Sequence, residues 1–116
     1  MRNFRKLEVW QQSMQLVKLV YDIVDCFPKN EMYGLSQQVR RCSVSIPSNV
    51  AEGCSRKSDK EFSRYIQIAL GSSFELETQL LIALSRKYFT NSEVFDNLKI
   101  IQKRLNALNN RLNTST

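Results

Sequence analysis

Apolar side chains recur every three or four residues along most of the chain, and this spacing predicts four amphipathic helices. In the third and longest segment the positions of the stripe step by 4, 3, 4, 3, 4 and 3 from Phe62 to Ala83, which keeps them on one face, and all but Ser73 are apolar. Similar stripes, widened by flanking apolar residues, run through the other three segments. The predicted helices cover about residues 7–25, 34–53, 59–87 and 92–112.

The predicted helix ends carry recognisable capping and stop residues. Phe27-Pro28 ends the first helix, because a residue before proline avoids the α-helical region. Ser58–Glu61 and Thr90–Glu93 are capping boxes, in which the first side chain accepts a hydrogen bond from the amide of the fourth residue. Pro47 either kinks the second helix or breaks it, and Gly53 suits a C-terminal cap.

Four such helices joined by short connections pack most simply as an all-α, antiparallel up-and-down four-helix bundle. A length of 116 residues suits a single domain over residues 1–116, with a polar, frayed tail at 113–116. The apolar stripes are wider than the contact between two helices of a coiled coil requires. The additional apolar residues belong either to the core or to a surface shared between subunits. The large side chains expected in or beside the core are Trp10, Leu35, Phe62, Leu76 and Leu105.

The residue types present exclude most catalytic and metal-binding chemistry. Histidine is absent, so neither a Ser-His-Asp or Cys-His catalytic set nor the usual zinc sets can form. No glycine-rich phosphate loop occurs. Cys26, Cys42 and Cys54 contain no CxxC pair, and we expect reduced thiols. The expected protein is therefore not an enzyme and has no catalytic residue, cofactor or metal.

The location expected from the sequence is the cytoplasm, without a membrane partner. No apolar run approaches the roughly 18 residues that a membrane span requires. The basic N-terminus is followed by Glu8, Gln11 and Gln12, which do not belong in the core of a signal peptide.

The chain is basic, with 17 Lys and Arg against 11 Asp and Glu and a net charge of +6. Such a charge raises the expectation of a nucleic-acid partner. The candidate nucleic-acid-binding residues are Arg40, Arg41, Arg56, Lys57, Lys60 and Arg64. They are either ordinary solubilising charge or a patch that neutralises phosphates. We expect Arg40 and Arg41 to point outward. Tyr65 is the nearest aromatic residue to these cations, and one ring is weak support for a surface on which bases stack.

A polar stripe runs beside the apolar face of the second helix. It is a solvated face with a capping Asn, a network that fixes register or contacts another subunit, or a direct nucleic-acid contact. We predict that Asn49 and Glu52 are at least partly buried and hydrogen-bonded, because amides and carboxylates in an interior need partners. The candidate residues of this stripe, or of assembly, are Gln38, Ser45, Asn49, Glu52 and Glu75.

Short motifs make the chain resemble one family of bundle proteins from residue 4 to about residue 90. They are Phe4-x-x-Leu7-x-Val9-Trp10, Phe27-Pro28-x-x-Glu31-x-Tyr33-Gly34-Leu35, Ser45-Ile46-Pro47-Ser48-Asn49-Val50-Ala51-Glu52-Gly53 and Gly71-Ser72-x-x-Glu75-Leu76-Glu77. The pairing of the last two is the specific feature. The chain resembles the four-helix-bundle proteins of the 23S rRNA intervening-sequence family. It is also similar to the accessory variability determinant of diversity-generating retroelements, a related bundle.

The resemblance implies an antiparallel four-helix bundle that assembles as a ring-like homopentamer. It also implies a basic protein whose partner is RNA, DNA or a nucleic-acid enzyme. The function expected from the sequence is therefore a non-enzymatic, oligomeric binding protein with a basic surface. The alternative is a structural module that scaffolds a protein partner such as a reverse transcriptase.

Overall fold

Four long helices account for most of residues 2–114, the part of the chain that the computed structural model describes. The 3₁₀ turns Phe4–Lys6 and Lys29–Glu31 precede the first two helices, and the periodicity does not predict them. Of the tail expected to fray, Asn113 and Thr114 are helical, and the last two residues lie outside the described part. The helices are α1 (Glu8–Val24), α2 (Leu35–Cys54), α3 (Asp59–Ser85) and α4 (Glu93–Thr114).

Each helix packs against two others, because α2 lies between α1 and α3 while α4 closes the bundle against α3 and α1. Neighbouring helices run in opposite directions. Ser45 of α2 bonds Ser72 of α3, whereas Gly53, farther along α2, faces Phe62 near the start of α3. Bonds between α3 and α4 show the same reversal. The predicted all-α bundle is confirmed, and it measures 47 × 23 × 20 Å.

The four apolar stripes meet in one core. As predicted, Phe62, Leu76 and Leu105 are buried, while Trp10 and Leu35 are half-buried against the core. Burying a side chain of leucine size contributes roughly 1.5–3 kcal/mol, so these stripes supply most of the favourable free energy of folding. The largest fully buried side chains are Leu16, Ile46, Ile66, Leu76, Leu80, Leu98, Ile101 and Leu105.

The helix α2 runs through Pro47 without interruption, so a break at this residue is wrong. Proline has no N–H to donate to the carbonyl of Ser43 one turn earlier, a loss that costs about 3 kcal/mol inside a helix. The Pro47 ring is buried in the bundle, and this burial offsets part of the cost.

Gly53 serves close helix packing, and its predicted role as a helix cap is wrong. It lies inside α2, where a Cβ atom would come within 2.7 Å of Cδ1 of Phe62 and 2.9 Å of Cβ of Tyr65. Glycine therefore lets α2 and α3 approach closely at this end of the bundle. That approach brings the end of α2 against the start of α3, where most of the candidate cations lie.

The two predicted capping boxes have different outcomes. Ser58 Oγ accepts from the amide of Glu61 at 3.1 Å, which confirms the cap of α3. At α4 the acceptor is Asn91, whose Oδ1 lies 3.0 Å from the amide nitrogen of Glu93. The assignment of Thr90 as the capping residue is therefore wrong, because the longer Asn side chain reaches the amide two residues on.

Some of the apolar side chains that widen the stripes are exposed on the surface of the bundle. Phe74 of α3 is 53% exposed, although it flanks the buried stripe of the same helix. The core of a single chain thus uses only part of the apolar surface that the pattern provides. The half-exposed apolar side chains of α3 are Ile68, Phe74, Leu81 and Ile82.

Candidate nucleic-acid interface

The six candidate cations lie in two separate groups. Arg40 and Arg41 lie in the first third of α2, and at 1.5 Å per residue they are more than about 20 Å along the helix from the others. The structure therefore does not join all six into one patch. The second group, called the basic corner below, surrounds the junction of α2 and α3 and comprises Arg56, Lys57, Lys60 and Arg64.

Arg56 is the fixed member of the basic corner. Its guanidinium forms an ion pair with Glu52 at 3.0 Å and lies over the ring of Tyr65, 4.8 Å from the ring centroid. Its Nε atom is buried and has no hydrogen-bond partner within residues 2–114. Two neighbours thus hold Arg56 in one orientation at the rim of the corner.

Lys57, Lys60 and Arg64 supply the free positive charge of the basic corner. All three are exposed, and within the described part of the chain none lies in an ion pair. Lys60 and Arg64, one turn apart on α3, line a shallow hollow together with Arg56 and the acidic Glu61. Three cations and one acid line the hollow, so it carries a net positive charge that suits an anion.

Arg2 also lies at this corner, although the apolar period of the helices does not predict its position. Its Nη1 donates to the carbonyl of Arg56 at 2.9 Å, and its guanidinium forms an ion pair with Asp59. The guanidinium also lies 4.6 Å from the ring centroid of Phe62. Arg2 lies outside the helices, so a helical period carries no information about its contacts.

Of the arginine pair in α2, only Arg41 is exposed. Arg40 is half-buried, with its guanidinium 5.9 Å from the ring centroid of Tyr21 in α1. The expectation that both point outward is therefore wrong for Arg40. Adjacent positions on a helix differ in direction by about 100°, and this difference turns Arg40 toward the seam with α1.

The polar stripe lies along the groove between α2 and α3, and a small hydrogen-bond network forms its centre. The hydroxyls of Ser45 and Ser72 are 2.9 Å apart. Half-buried Asn49 donates to the carbonyl and to Oγ of Ser45 at 2.8 and 2.9 Å. Glu52 is exposed, so its predicted burial is wrong, because its carboxylate stays in water beside Arg56 and avoids desolvation.

Cys42 is buried at the edge of this groove, which exposed Gln38 and Glu75 also line. Its Sγ donates to the carbonyl of Ser72 at 3.1 Å and lies 3.6 Å from a carboxylate oxygen of Glu75. Burial, and then the negative charge of Glu75, raise the pKa of Cys42 from 9.0 to about 12. The thiol is therefore protonated at neutral pH and is a poor nucleophile.

The fold and the surface together define the class of protein, a basic all-α four-helix bundle. Within residues 2–114, no three Cys, Asp or Glu side chains group closely enough to hold a metal ion. None of the helices described is long and apolar enough to cross a membrane.

A family model described as 23S rRNA-intervening sequence protein matches residues 5–111. The chain therefore belongs to this family, as its motifs predict. The match includes most of α4 and so extends beyond the resemblance read from the motifs. No curated protein matches the chain.

The fold is similar to that of a protein of unknown function from the S23 ribosomal protein family of Bacteroides thetaiotaomicron VPI-5482. The TM-score with this crystal structure is 0.79, over 88% of this chain and 95% of the other chain. The two sequences are 21% identical, so this similarity shows the fold alone.

Proposed function

We propose that the chain is a non-enzymatic, oligomeric binding protein whose basic corner binds the phosphate backbone of RNA or DNA. The observation that carries this proposal is the convergence of Arg56, Lys60 and Arg64 on one hollow at the start of α3. The proposed location of the protein is the cytoplasm, because Cys26, Cys42 and Cys54 are free thiols and the cytoplasm is a reducing environment.

The chemistry of the basic corner favours phosphate over the bases. Lysine and arginine neutralise backbone charge and release counterions, and the arginine fork matches phosphate oxygens. Tyr65 is partly covered by Arg56, which leaves little aromatic surface for a base to stack on. Binding should therefore follow the charge of the backbone and show slight sequence preference.

The proposed assembly is a homo-oligomer, and the resemblance implies a ring-like homopentamer. The half-exposed apolar side chains of α3 support self-association, because a contact between copies would remove them from water. A ring repeats the basic corner around its axis, so weak contacts with one nucleic-acid molecule add together.

The proposal predicts that reversing two charges of the corner weakens binding. Lys60→Glu combined with Arg64→Glu should reduce the affinity for structured RNA and duplex DNA about tenfold or more at about 50 mM salt. Wild-type binding should weaken steeply at about 200 mM salt, and the slope of log K against log salt should fall by about 1.8 in the variant. Fluorescence anisotropy titrations measure both quantities.

The matched control is Lys99→Glu with Lys103→Glu, an equal charge change on exposed residues one turn apart in α4. This variant should retain most of the affinity. Equal losses in the two variants would show that net charge, rather than the basic corner, attracts the nucleic acid. No wild-type binding at about 50 mM salt would contradict the proposal and favour the scaffold for a protein partner.

A further inference from the structure

The positive charge of the chain is concentrated at one end of the bundle. Because neighbouring helices are antiparallel, the start of α1, the junction of α2 and α3 and the last part of α4 lie together at this end, called the basic end below. Its segments 2–8, 52–64 and 104–114 contain nine of the 17 Lys and Arg but only four of the 11 Asp and Glu. The basic end therefore holds five of the six net positive charges of the chain.

A second basic hollow lies at this end between α1 and α4, and it is called the α1–α4 hollow below. It has a volume of about 310 Å³, and Lys6, Arg104 and Arg111 line it together with Glu8. Arg104 forms an ion pair with Glu8, so the charge of that carboxylate is already neutralised. Lys6 and Arg111 are exposed, and within residues 2–114 neither lies in an ion pair. The hollow therefore offers two unbalanced positive charges to an anion.

The start of the chain joins the α1–α4 hollow to the basic corner. Arg2 donates to the carbonyl of Arg56 at the corner, whereas Lys6 lines the hollow. Arg5, which lies between them in the sequence, is exposed and adds a third cation. The Cα atoms of Arg2 and Lys6 are at most about 14 Å apart, because four residues of extended chain reach no farther. The two sites are therefore neighbours, and cations continue from one to the other.

We propose that the α1–α4 hollow is a second phosphate-binding site, and that one nucleic-acid duplex lies across the basic end and contacts both the hollow and the basic corner. This inference rests on the nucleic-acid binding proposed above, and it adds Lys6, Arg104 and Arg111 to the residues that contact the backbone. Lysine and arginine bind phosphates without reading the bases. The major groove of B-DNA is about 12 Å wide, which is comparable to the reach of residues 2–6, so each site meets one of the two backbones.

The opposite end of the bundle gives this contact its direction. Its segments 22–41 and 86–96 contain five Lys and Arg and five Asp and Glu, so that end has no net charge. A polyanion is therefore attracted toward the basic end. The bundle is 47 Å long and only 23 × 20 Å across. It accordingly stands on the duplex with its basic end rather than lying along it.

Reversing the two unpaired charges of the α1–α4 hollow tests the site. Lys6→Glu combined with Arg111→Glu should reduce the affinity for duplex DNA about tenfold or more at about 50 mM salt. The slope of log K against log salt should fall by about 1.8, because two phosphate contacts are lost. Fluorescence anisotropy titrations measure both quantities. Circular dichroism and sedimentation equilibrium check that this variant retains the helices and the assembly of the wild type.

The matched control is again Lys99→Glu with Lys103→Glu, an equal charge change in α4 outside the basic end. This variant should retain most of the affinity for duplex DNA. A loss in the control equal to that of Lys6→Glu with Arg111→Glu would overturn the hollow as a site, because net charge alone would then explain the binding.

Combining the changes in the hollow with Lys60→Glu and Arg64→Glu shows whether one duplex occupies both sites. If it does, the salt slope should fall by about 3.6, and the fold-loss in affinity should be about the product of the two separate losses. If the two sites bound separate duplexes, either pair of changes alone would weaken binding only about twofold, because the other site would remain intact. Such a twofold loss would overturn the shared contact.

The same titrations separate this inference from the proposed function. A wild type that does not bind duplex DNA at about 50 mM salt would remove both. Wild-type binding that is lost in Lys60→Glu with Arg64→Glu, but is unchanged in Lys6→Glu with Arg111→Glu, would leave the basic corner as the binding site and remove the α1–α4 hollow alone.

Discussion

Gly53 and Gly71 both lie inside helices, but their surroundings are opposite. At Gly53 the helices α2 and α3 are so close that a Cβ would lie 2.7 Å from Cδ1 of Phe62. At Gly71 the space is open. The same residue type therefore has a packing role at one position, whereas at the other its backbone freedom only weakens the isolated helix.

Alanine substitution should separate these two roles. Gly53→Ala should lower the free energy of unfolding by about 1–3 kcal/mol, because the aromatic neighbours must move. Gly71→Ala should raise it by up to about 1 kcal/mol, because alanine favours the helix. Both are made in a Phe74→Asp chain, so that contacts between copies do not contribute, and urea unfolding measures them. A stabilising Gly53→Ala would contradict the close approach of α2 and α3.

The buried thiol of Cys42 should make stability depend on pH. Its folded pKa of about 12 lies above the ordinary value of 9.0, so folding favours the neutral thiol. The contribution of the neutral Cys42 thiol to the free energy of unfolding is fully present below pH 9 and is lost as the pH rises from 9 toward 12. The unfolding free energy of the wild type should therefore fall more steeply over this range than that of Cys42→Ala. Parallel curves for the two proteins would show that Cys42 does not contribute.

The sequence predicts single residues less well than stripes. It identifies Asn49 as partly buried, because an amide beside an apolar face needs a partner, but it misplaces Glu52. It also misses Arg2, which reaches the basic corner because the start of the chain lies beside the junction of α2 and α3. Such contacts depend on how the chain crosses between elements, and a helical period carries no information about that crossing.

At the scale of elements, the four helices follow from their apolar period, and their ends lie within two residues of the predicted ones. The apolar period shows which face of a helix is apolar. It does not give the distance to the next helix, and it does not show that the ring of Pro47 is buried. For this reason the sequence predicts a helix cap at Gly53 and a kink or a break of the helix at Pro47. Both residues acquire their roles from the neighbouring helices.

The cap of α4 gives a test at the same scale. Asn91→Ala should lower the free energy of unfolding by about 0.5–2 kcal/mol, because the amide of Glu93 loses its acceptor. Thr90→Ala, the matched substitution one residue earlier, should change it by less than about 0.5 kcal/mol. Thermal or urea unfolding distinguishes the two residues, and a larger effect at Thr90 would restore the capping box that the sequence predicts.

For the whole molecule, the proposed assembly and the proposed nucleic-acid binding would be linked, because each added copy repeats the basic corner. Phe74→Asp leaves the corner untouched but should produce a monomer. It should therefore bind a short oligonucleotide, which spans one corner, as well as the wild type does. On a long duplex it should bind at least tenfold more weakly, because it cannot engage several sites at once. Equal affinities on the long duplex, measured by anisotropy, would show that copies bind independently.

Arg56 is held by its ion pair with Glu52 and by the ring of Tyr65, and this lowers the entropy that it would lose on binding a ligand. A free arginine side chain loses about 2 kcal/mol of rotational freedom when a ligand fixes it. Arg56 has already lost much of that freedom during folding, because its ion pair and its aromatic neighbour hold it. In the proposed complex, a phosphate at the basic corner would meet one pre-organised guanidinium, that of Arg56, and three exposed cations, Lys57, Lys60 and Arg64. Only the exposed cations would have to be immobilised on association.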